Sequence, residues 1–360
     1  MDAGASAAGR VGDGAPSGPD GSSGGGATGD AQQREVPGDA SMAADAGPSA
    51  QVGNLVRDVP GFAGRPYILH APGGGVPSTP TPVLIVFHGG GGNADGVVRM
   101  TCPGGDLASD ACIDRLADRE GFLLVIPNGT GTLVTPNTRT WNAGGGTANW
   151  QCVSGAACMR GIDDVAYFDA LLDDVAAVAT IDARRVHLTG ISNGAAMSHR
   201  LACVRADRVA AIAPVAGGNQ LSTGAACAPS RPVAVLAIHG TADPCWAFDG
   251  GPGACLQTDN KDKIDIPRTM REWAARDGCG DTPSVSVLDD ADAADDTTAS
   301  VEEYPGCAGG AAVRLVKIEA GGHTWPGGFQ YLPVATVGPT TRDFRAHELM
   351  WDFFREHPAP

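Results

Sequence analysis

Seven short apolar runs punctuate the chain: Tyr67–His70, Val83–Phe87, Phe122–Ile126, Val186–Thr189, Val209–Pro214, Val233–Ile238 and Val313–Ile318. They are mostly continuous rather than alternating. Runs of that kind suit strands buried on both faces. Between and after them, helices are expected at Ile113–Glu120, Asp164–Ala179, Gly194–Cys203, Ile266–Asp277 and Thr340–His357. Alternation of apolar strands with helices predicts an α/β protein, with a mostly parallel central sheet and helices on both faces.

The first 54 residues break this pattern. From Asp2 to Ala50 the chain is Gly, Ala, Ser, Asp and Pro with almost no large apolar residues. Such a segment buries too little surface to offset its conformational entropy, so residues 1–54 read as a disordered tail. Residues 55–360 are enough for one large domain with a full core. Pro127–Met159 is a long stretch without clear periodicity, and loops of that length are often functional.

The chemistry starts at Gly190-Ile191-Ser192-Asn193-Gly194, between an expected strand and an expected helix. A bare G-x-S-x-G is a weak signal in a chain with 52 glycines. Its placement between strand and helix makes it a nucleophile elbow, with Ser192 as nucleophile. A serine hydroxyl needs a base, and the base needs an orienting acid. On an α/β sheet these follow the serine in the order acid, then histidine. Asp243 follows the apolar run Val233–Ile238 and is the expected acid. Asp249 is a weaker competitor further into the loop. Asp163 and Asp164 precede the serine and are expected to start a helix. His323 follows the last strand in a glycine-framed loop and is the expected base. His70 and His187 fall inside strands, and His199, His347 and His357 fall in or near helices. His88 and His239 end strands before a glycine and are expected to shape loops.

The oxyanion needs main-chain donors. Asn193 supplies one amide, and the loop His88-Gly89-Gly90-Gly91-Gly92 after Val83–Phe87 supplies the other, from Gly90 with Gly91 as the alternative. That loop also fits a variant dinucleotide fingerprint. The fingerprint requires an acid about 20 residues on, and the next strand ends in Pro127-Asn128-Gly129 instead. No cofactor is expected. Trp141, in the long aperiodic stretch, and Trp325, two residues after His323, are expected to line the substrate cleft.

Several motifs recur together in order. They are His88-Gly89-Gly90-Gly91-Gly92, Ile126-Pro127-Asn128-Gly129, Gly190–Met197, Ala213-Pro214-Val215-Ala216-Gly217, His239-Gly240-Thr241-Ala242-Asp243 and Gly322–Gly327. The set resembles the polyhydroxybutyrate depolymerase-like esterases, including bacterial feruloyl esterases of carbohydrate esterase family 1. The resemblance covers about Tyr67 to Phe354. It implies an α/β-hydrolase fold over residues 55–360 and a secreted serine esterase with Ser192, Asp243 and His323 as its triad. The substrate it favours is a feruloylated plant polysaccharide, with polyester oligomers as the alternative. A catalytically silent carbohydrate-binding protein on the same scaffold is the reading from a different class. One departure is Ala195-Ala196, where many relatives carry glycine or methionine.

The formal net charge of −16 argues against a nucleic-acid partner. Part of it sits in Asp289–Asp296, expected to be a solvated loop, with a calcium ion as the alternative. Ten cysteines form five loosely local pairs: Cys102–Cys112, Cys152–Cys158, Cys203–Cys227, Cys245–Cys255 and Cys279–Cys307. Disulfides imply an oxidising compartment. Zinc is disfavoured because no C-x-x-C occurs. No apolar run is long enough to span a membrane. The start of the chain lacks a basic, apolar leader. The expectation is therefore an extracellular protein whose signal has been removed, and the small-residue tail also suits the spacer of a surface lipoprotein. Asn128-Gly129-Thr130 is a glycosylation sequon.

Overall fold

The computed structural model describes residues 54–131, 137–144, 155–221, 227–253 and 262–360. The expected tail, 1–54, lies outside these except for Asn54, which already belongs to the first strand. The strands are β1 Asn54–Asp58, β2 Pro66–His70, β3 Thr81–Phe87, β4 Leu123–Pro127, β5 Ile181–Ile191 and β6 Ala211–Val215. They continue with β7 Ala234–Gly240, β8 Gly251–Pro252, β9 Asp262–Lys263, β10 Ser284–Val287, β11 Thr298–Tyr304 and β12 Val313–Glu319. The helices are α1 Ala94–Thr101, α2 Ile113–Glu120, α3 Gly155–Met159 and α4 Asp164–Val178. After them come α5 Asn193–Val204, α6 Ile266–Arg276, α7 Val334–Val337 and α8 Ala346–Glu356.

Ten strands form one sheet in the order β1-β2-β4-β3-β5-β6-β7-β12-β11-β10. The six central strands, β4 through β12 in that order, run parallel. The two pairs at each edge run antiparallel. The reason is visible in β3, where all seven residues are buried. Val83, Ile85 and Phe87 join one apolar cluster, while Leu84 and Val86 join the other. A strand with two apolar faces needs helices on both, and a parallel crossover supplies them. This is the α/β-hydrolase fold.

All seven expected strands are present, with ends shifted by a few residues. The helix expected over Thr340–His357 begins only at Ala346. The preceding residues are held as loop, because Thr340 bonds the Gln330 side chain and the Arg342 amide donates to Asp295 Oδ2 at 2.6 Å. That bond and an Arg342–Asp292 pair at 2.5 Å engage the Asp-rich segment with protein groups.

Disulfides join Cys102–Cys112, Cys203–Cys227 and Cys279–Cys307, as the sequence pairs them. Cys158 and Cys245 are also disulfide-bonded, while Cys152 and Cys255 lie outside the described residues. No helix among the described residues is long and apolar enough to cross a membrane.

Candidate active site

The expected catalytic residues all follow the carboxyl ends of parallel strands. Ser192 joins β5 to α5. Its backbone is at φ 58°, a conformation that costs a non-glycine residue energy. The surroundings impose it. A Cβ on Gly190 would lie 2.5 Å from Phe87 O, and one on Gly194 would collide with Phe87 O and His88 O. The Ser192 amide donates to Val215 O at 2.9 Å. Its side chain is only partly buried, which leaves the hydroxyl within reach of a substrate.

Asp243 and His323 meet directly. Nδ1 of His323 donates to Asp243 Oδ2 at 2.7 Å. Oδ1 of the same carboxylate accepts from the Cys245 and Trp246 amides at 2.7 and 2.8 Å. Burial would raise this carboxyl, but the His323 ring and the other donors outweigh it and hold it below the usual carboxylate range. The two loops are laced together, with Ala242 N donating to Gly321 O at 3.0 Å and Thr241 N to Ile318 O at 2.8 Å. The Tyr331 hydroxyl donates to His323 O at 3.0 Å, and the His323 amide donates to Val337 O at 2.5 Å. These bonds orient the imidazole. Nε2 has no partner among the described residues and is not sealed from solvent. No hydrogen bond joins it to Ser192 among the described residues. Asp243, Cys245 and His323 lie close enough to resemble a metal cluster, but the Cys245 sulfur is in a disulfide and cannot act as a thiolate ligand.

His239 and His88 shape the loops. His239 Nε2 donates to Trp246 O at 2.8 Å, and burial lowers its pKa. His88 Nδ1 donates to Gly89 O at 2.7 Å, and its Nε2 accepts from Gly129 N at 2.9 Å. Burial pushes its pKa down to about 3, so it stays neutral and keeps one donor and one acceptor. It ties the glycine loop to the end of β4.

In that loop Gly91 N already donates to Arg139 O at 2.8 Å. This removes Gly91 as the alternative oxyanion donor. Among the described residues, the Gly90 amide has no acceptor, nor does that of Asn193 in the first turn of α5.

Two expectations need correction. Trp141 and Trp325 are both 0% exposed, so neither lines an open cleft. Trp141 packs edge-on against Phe87 and donates its indole N–H to His88 O at 3.0 Å. Trp325 lies in the apolar cluster under α8, its indole 3.5 Å from His347 Nδ1. The sequence reading also missed the Asn193 side chain and Arg139, which act through contacts distant in sequence. Asn193 exchanges two hydrogen bonds with the main-chain N–H and C=O of Trp141.

The mostly parallel sheet, with Ser192 at a strand-to-helix turn and a bonded Asp243–His323 pair beyond its strand ends, has the architecture of an α/β-hydrolase. No family model matches the chain. The putative esterase NocK of Nocardia uniformis subsp. tsuyamanensis is 32% identical over 299 residues, covering 80% of this chain and 78% of that protein. Feruloyl esterase B of Piromyces equi is 26% identical over 261 residues, which is 72% of this chain and 42% of that protein. Feruloyl esterase C of Emericella nidulans is 32% identical over 197 residues, which is 55% of this chain and 62% of that protein. The chain therefore spans less than two thirds of either feruloyl esterase. A solved structure of an acetyl xylan esterase from Aspergillus awamori superposes with a TM-score of 0.46 at 14% identity, over 72% of this chain and 89% of that one. The chain belongs to the esterase family of NocK, to which the feruloyl esterases are also similar, and it is a carboxylic-ester hydrolase.

Proposed function

We propose that Ser192, His323 and Asp243 act as a catalytic triad through an acyl-enzyme. Ser192 Oγ attacks the ester carbonyl while His323 Nε2 takes its proton and then passes it to the leaving alcohol. Asp243 holds the tautomer with its proton on Nδ1 and stabilises the imidazolium. The Gly90 and Asn193 amides receive the oxyanion. Water repeats the sequence and frees the acid. The observation that carries this reading is the 2.7 Å bond between His323 Nδ1 and Asp243 Oδ2. It leaves Nε2 as the basic nitrogen, with no hydrogen-bond partner among the described residues. Serine and imidazole must close to bonding distance when substrate arrives, as catalytic contacts in resting enzymes often do.

The substrate we propose is a hydroxycinnamoyl ester of a plant polysaccharide, cleaved outside the cell. The names of the Piromyces and Emericella relatives support the acyl group. The disulfides support the location. Methyl ferulate and a hydroxybutyrate oligomer should be compared as substrates, with Ser192→Ala as control. Faster turnover of the ferulate is expected. Turnover of the oligomer alone would overturn the substrate assignment, and activity surviving in Ser192→Ala would overturn the triad.

A further inference from the structure

The stretch Arg139–Trp141 touches both walls of the proposed oxyanion site. On one side is the glycine loop after β3. Gly91 N donates to Arg139 O at 2.8 Å, and Arg139 N donates to Gly92 O at 3.1 Å. The Trp141 indole donates to His88 O at 3.0 Å, at the base of the same loop. On the other side is the first turn of α5. Trp141 N donates to Asn193 Oδ1 at 2.7 Å, and Asn193 Nδ2 donates back to Trp141 O at 3.1 Å. One side-chain amide and the main-chain N–H and C=O of one residue thus close a two-bond ring. Trp141 and Asn193 are both buried, so water does not compete for these bonds.

The geometry points to a splint. We propose that Arg139–Trp141 sets the separation of the Gly90 and Asn193 amides, and that the Asn193 side chain is its positioning residue on the α5 side. This rests on reading those two amides as the oxyanion donors. The donors come from different elements. Where they meet, a Cβ built on Gly90 would lie 3.6 Å from Asn193 Cβ, which is contact without a directional bond. The directional restraint runs through the splint. An oxyanion donor works within a few tenths of an ångström, so a small drift between loop and helix is felt in turnover. The Asn193 side chain faces Trp141 rather than the substrate. Its loss should therefore lower kcat and leave KM nearly unchanged.

The test uses the full chain and p-nitrophenyl acetate, with Ser192→Ala, Asn193→Leu, Asn193→Asp and Trp141→Phe. Melting temperature reports folding. Inhibition by phenylboronic acid reports the site itself, since its tetrahedral adduct on the serine places an oxygen against the two amides. Asn193→Leu should lower kcat about 30-fold with KM within about 3-fold of the parent, and weaken the boronate in step. Trp141→Phe cuts one bond of the splint and should lose less. Asn193→Asp keeps the acceptor for Trp141 N, and its acid form regains the donor to Trp141 O. Its kcat relative to the parent should rise as pH falls from about 8 to about 5. Should the leucine variant fail to fold, the isosteric aspartate variant decides. A folded Asn193→Leu with kcat within about twofold of the parent would overturn the proposal. So would a kcat loss with unchanged boronate affinity and a flat aspartate ratio, which is what a purely structural role produces. Activity in Ser192→Ala would remove its basis instead, and is recognisable as a failure of the triad reading.

Discussion

His323 Nδ1 lies 2.7 Å from Asp243 Oδ2, and the other oxygen of that carboxylate is pinned by two main-chain amides. The carboxylate is therefore oriented before the imidazole is. Asp243→Asn keeps Oδ1 for the Cys245 and Trp246 amides but turns an N–H towards the ring. The ring then carries its proton on Nε2 and cannot accept one from Ser192. A loss of about 10,000-fold in kcat at neutral pH is expected, with KM little changed. Steady-state hydrolysis of p-nitrophenyl acetate measures both.

The elbow glycines are fixed by main chain, not by flexible side chains. Gly194→Ala would press a methyl group into the Phe87 and His88 carbonyl oxygens, and α5 would have to move away from β3. Destabilisation of about 3 kcal/mol is expected. Thermal unfolding followed by circular dichroism gives the value, and a melting point equal to the parent's would contradict the packing described for the elbow.

Buried titratable groups predict how stability follows pH. Burial lowers His88, His187 and His199 to about 3, and His347 to about 4. The unfolded chain binds protons at these sites from about pH 6.5 downwards, while the folded chain refuses them. Their effect is absent above that pH. Stability then falls by up to about 1.4 kcal/mol per pH unit for each, until the folded values are reached. Asp277 has the opposite sign. Burial raises its carboxyl to about 7, so its contribution is complete below the unfolded value and is lost as pH rises towards 7. Asp277→Asn retains an acceptor for Val233 N. It should gain on the order of 3 kcal/mol over the parent at pH 8, and less at pH 5. Urea unfolding at both values tests the sign.

The ion pair between Arg65 and Asp164, at 2.6 Å, is buried on both sides. Asp164 also accepts from the Asn142 amide at 2.6 Å, so it anchors the stretch next to Trp141. Asp164→Leu alone strands a guanidinium that stacks 3.6 Å from the Tyr167 ring centroid. A cost of about 3–5 kcal/mol is expected, and Arg65→Met added to it should recover a large part. A double-mutant cycle by denaturant titration measures the coupling.

The centre of the fold was legible because the parallel strands are apolar throughout. The edges were not. The β11 segment, Thr298–Tyr304, carries Thr298, Ser300, Glu302 and Glu303 among its seven residues, and all four residues of β10 are exposed, so neither forms an apolar run. Pairing with a neighbour decides such strands. The α1 helix was missed because Asp95-Gly96 interrupts its apolar face; the structure caps it with Asn93 Oδ1, which accepts from Gly96 N at 2.9 Å. At the site, chain order picked out Ser192, Asp243 and His323, and the structure joins the last two. Sequence position could not show that Trp141 turns inward or that the Gly91 amide is occupied. Both depend on the Arg139–Trp141 stretch folding back on residues about fifty positions away in either direction.

Asn128 stands at the end of β4 with both ends of its amide occupied. Oδ1 accepts from Ala94 N, and Nδ2 donates to Pro66 O, each at 3.0 Å. A glycan would have to be attached through that same nitrogen. The finished domain thus withholds its Asn-Gly-Thr acceptor from a eukaryotic secretory host. Sugar added to the nascent chain would stand where the edge of β2 must dock, so production in yeast should give a bare protein or a misfolded one.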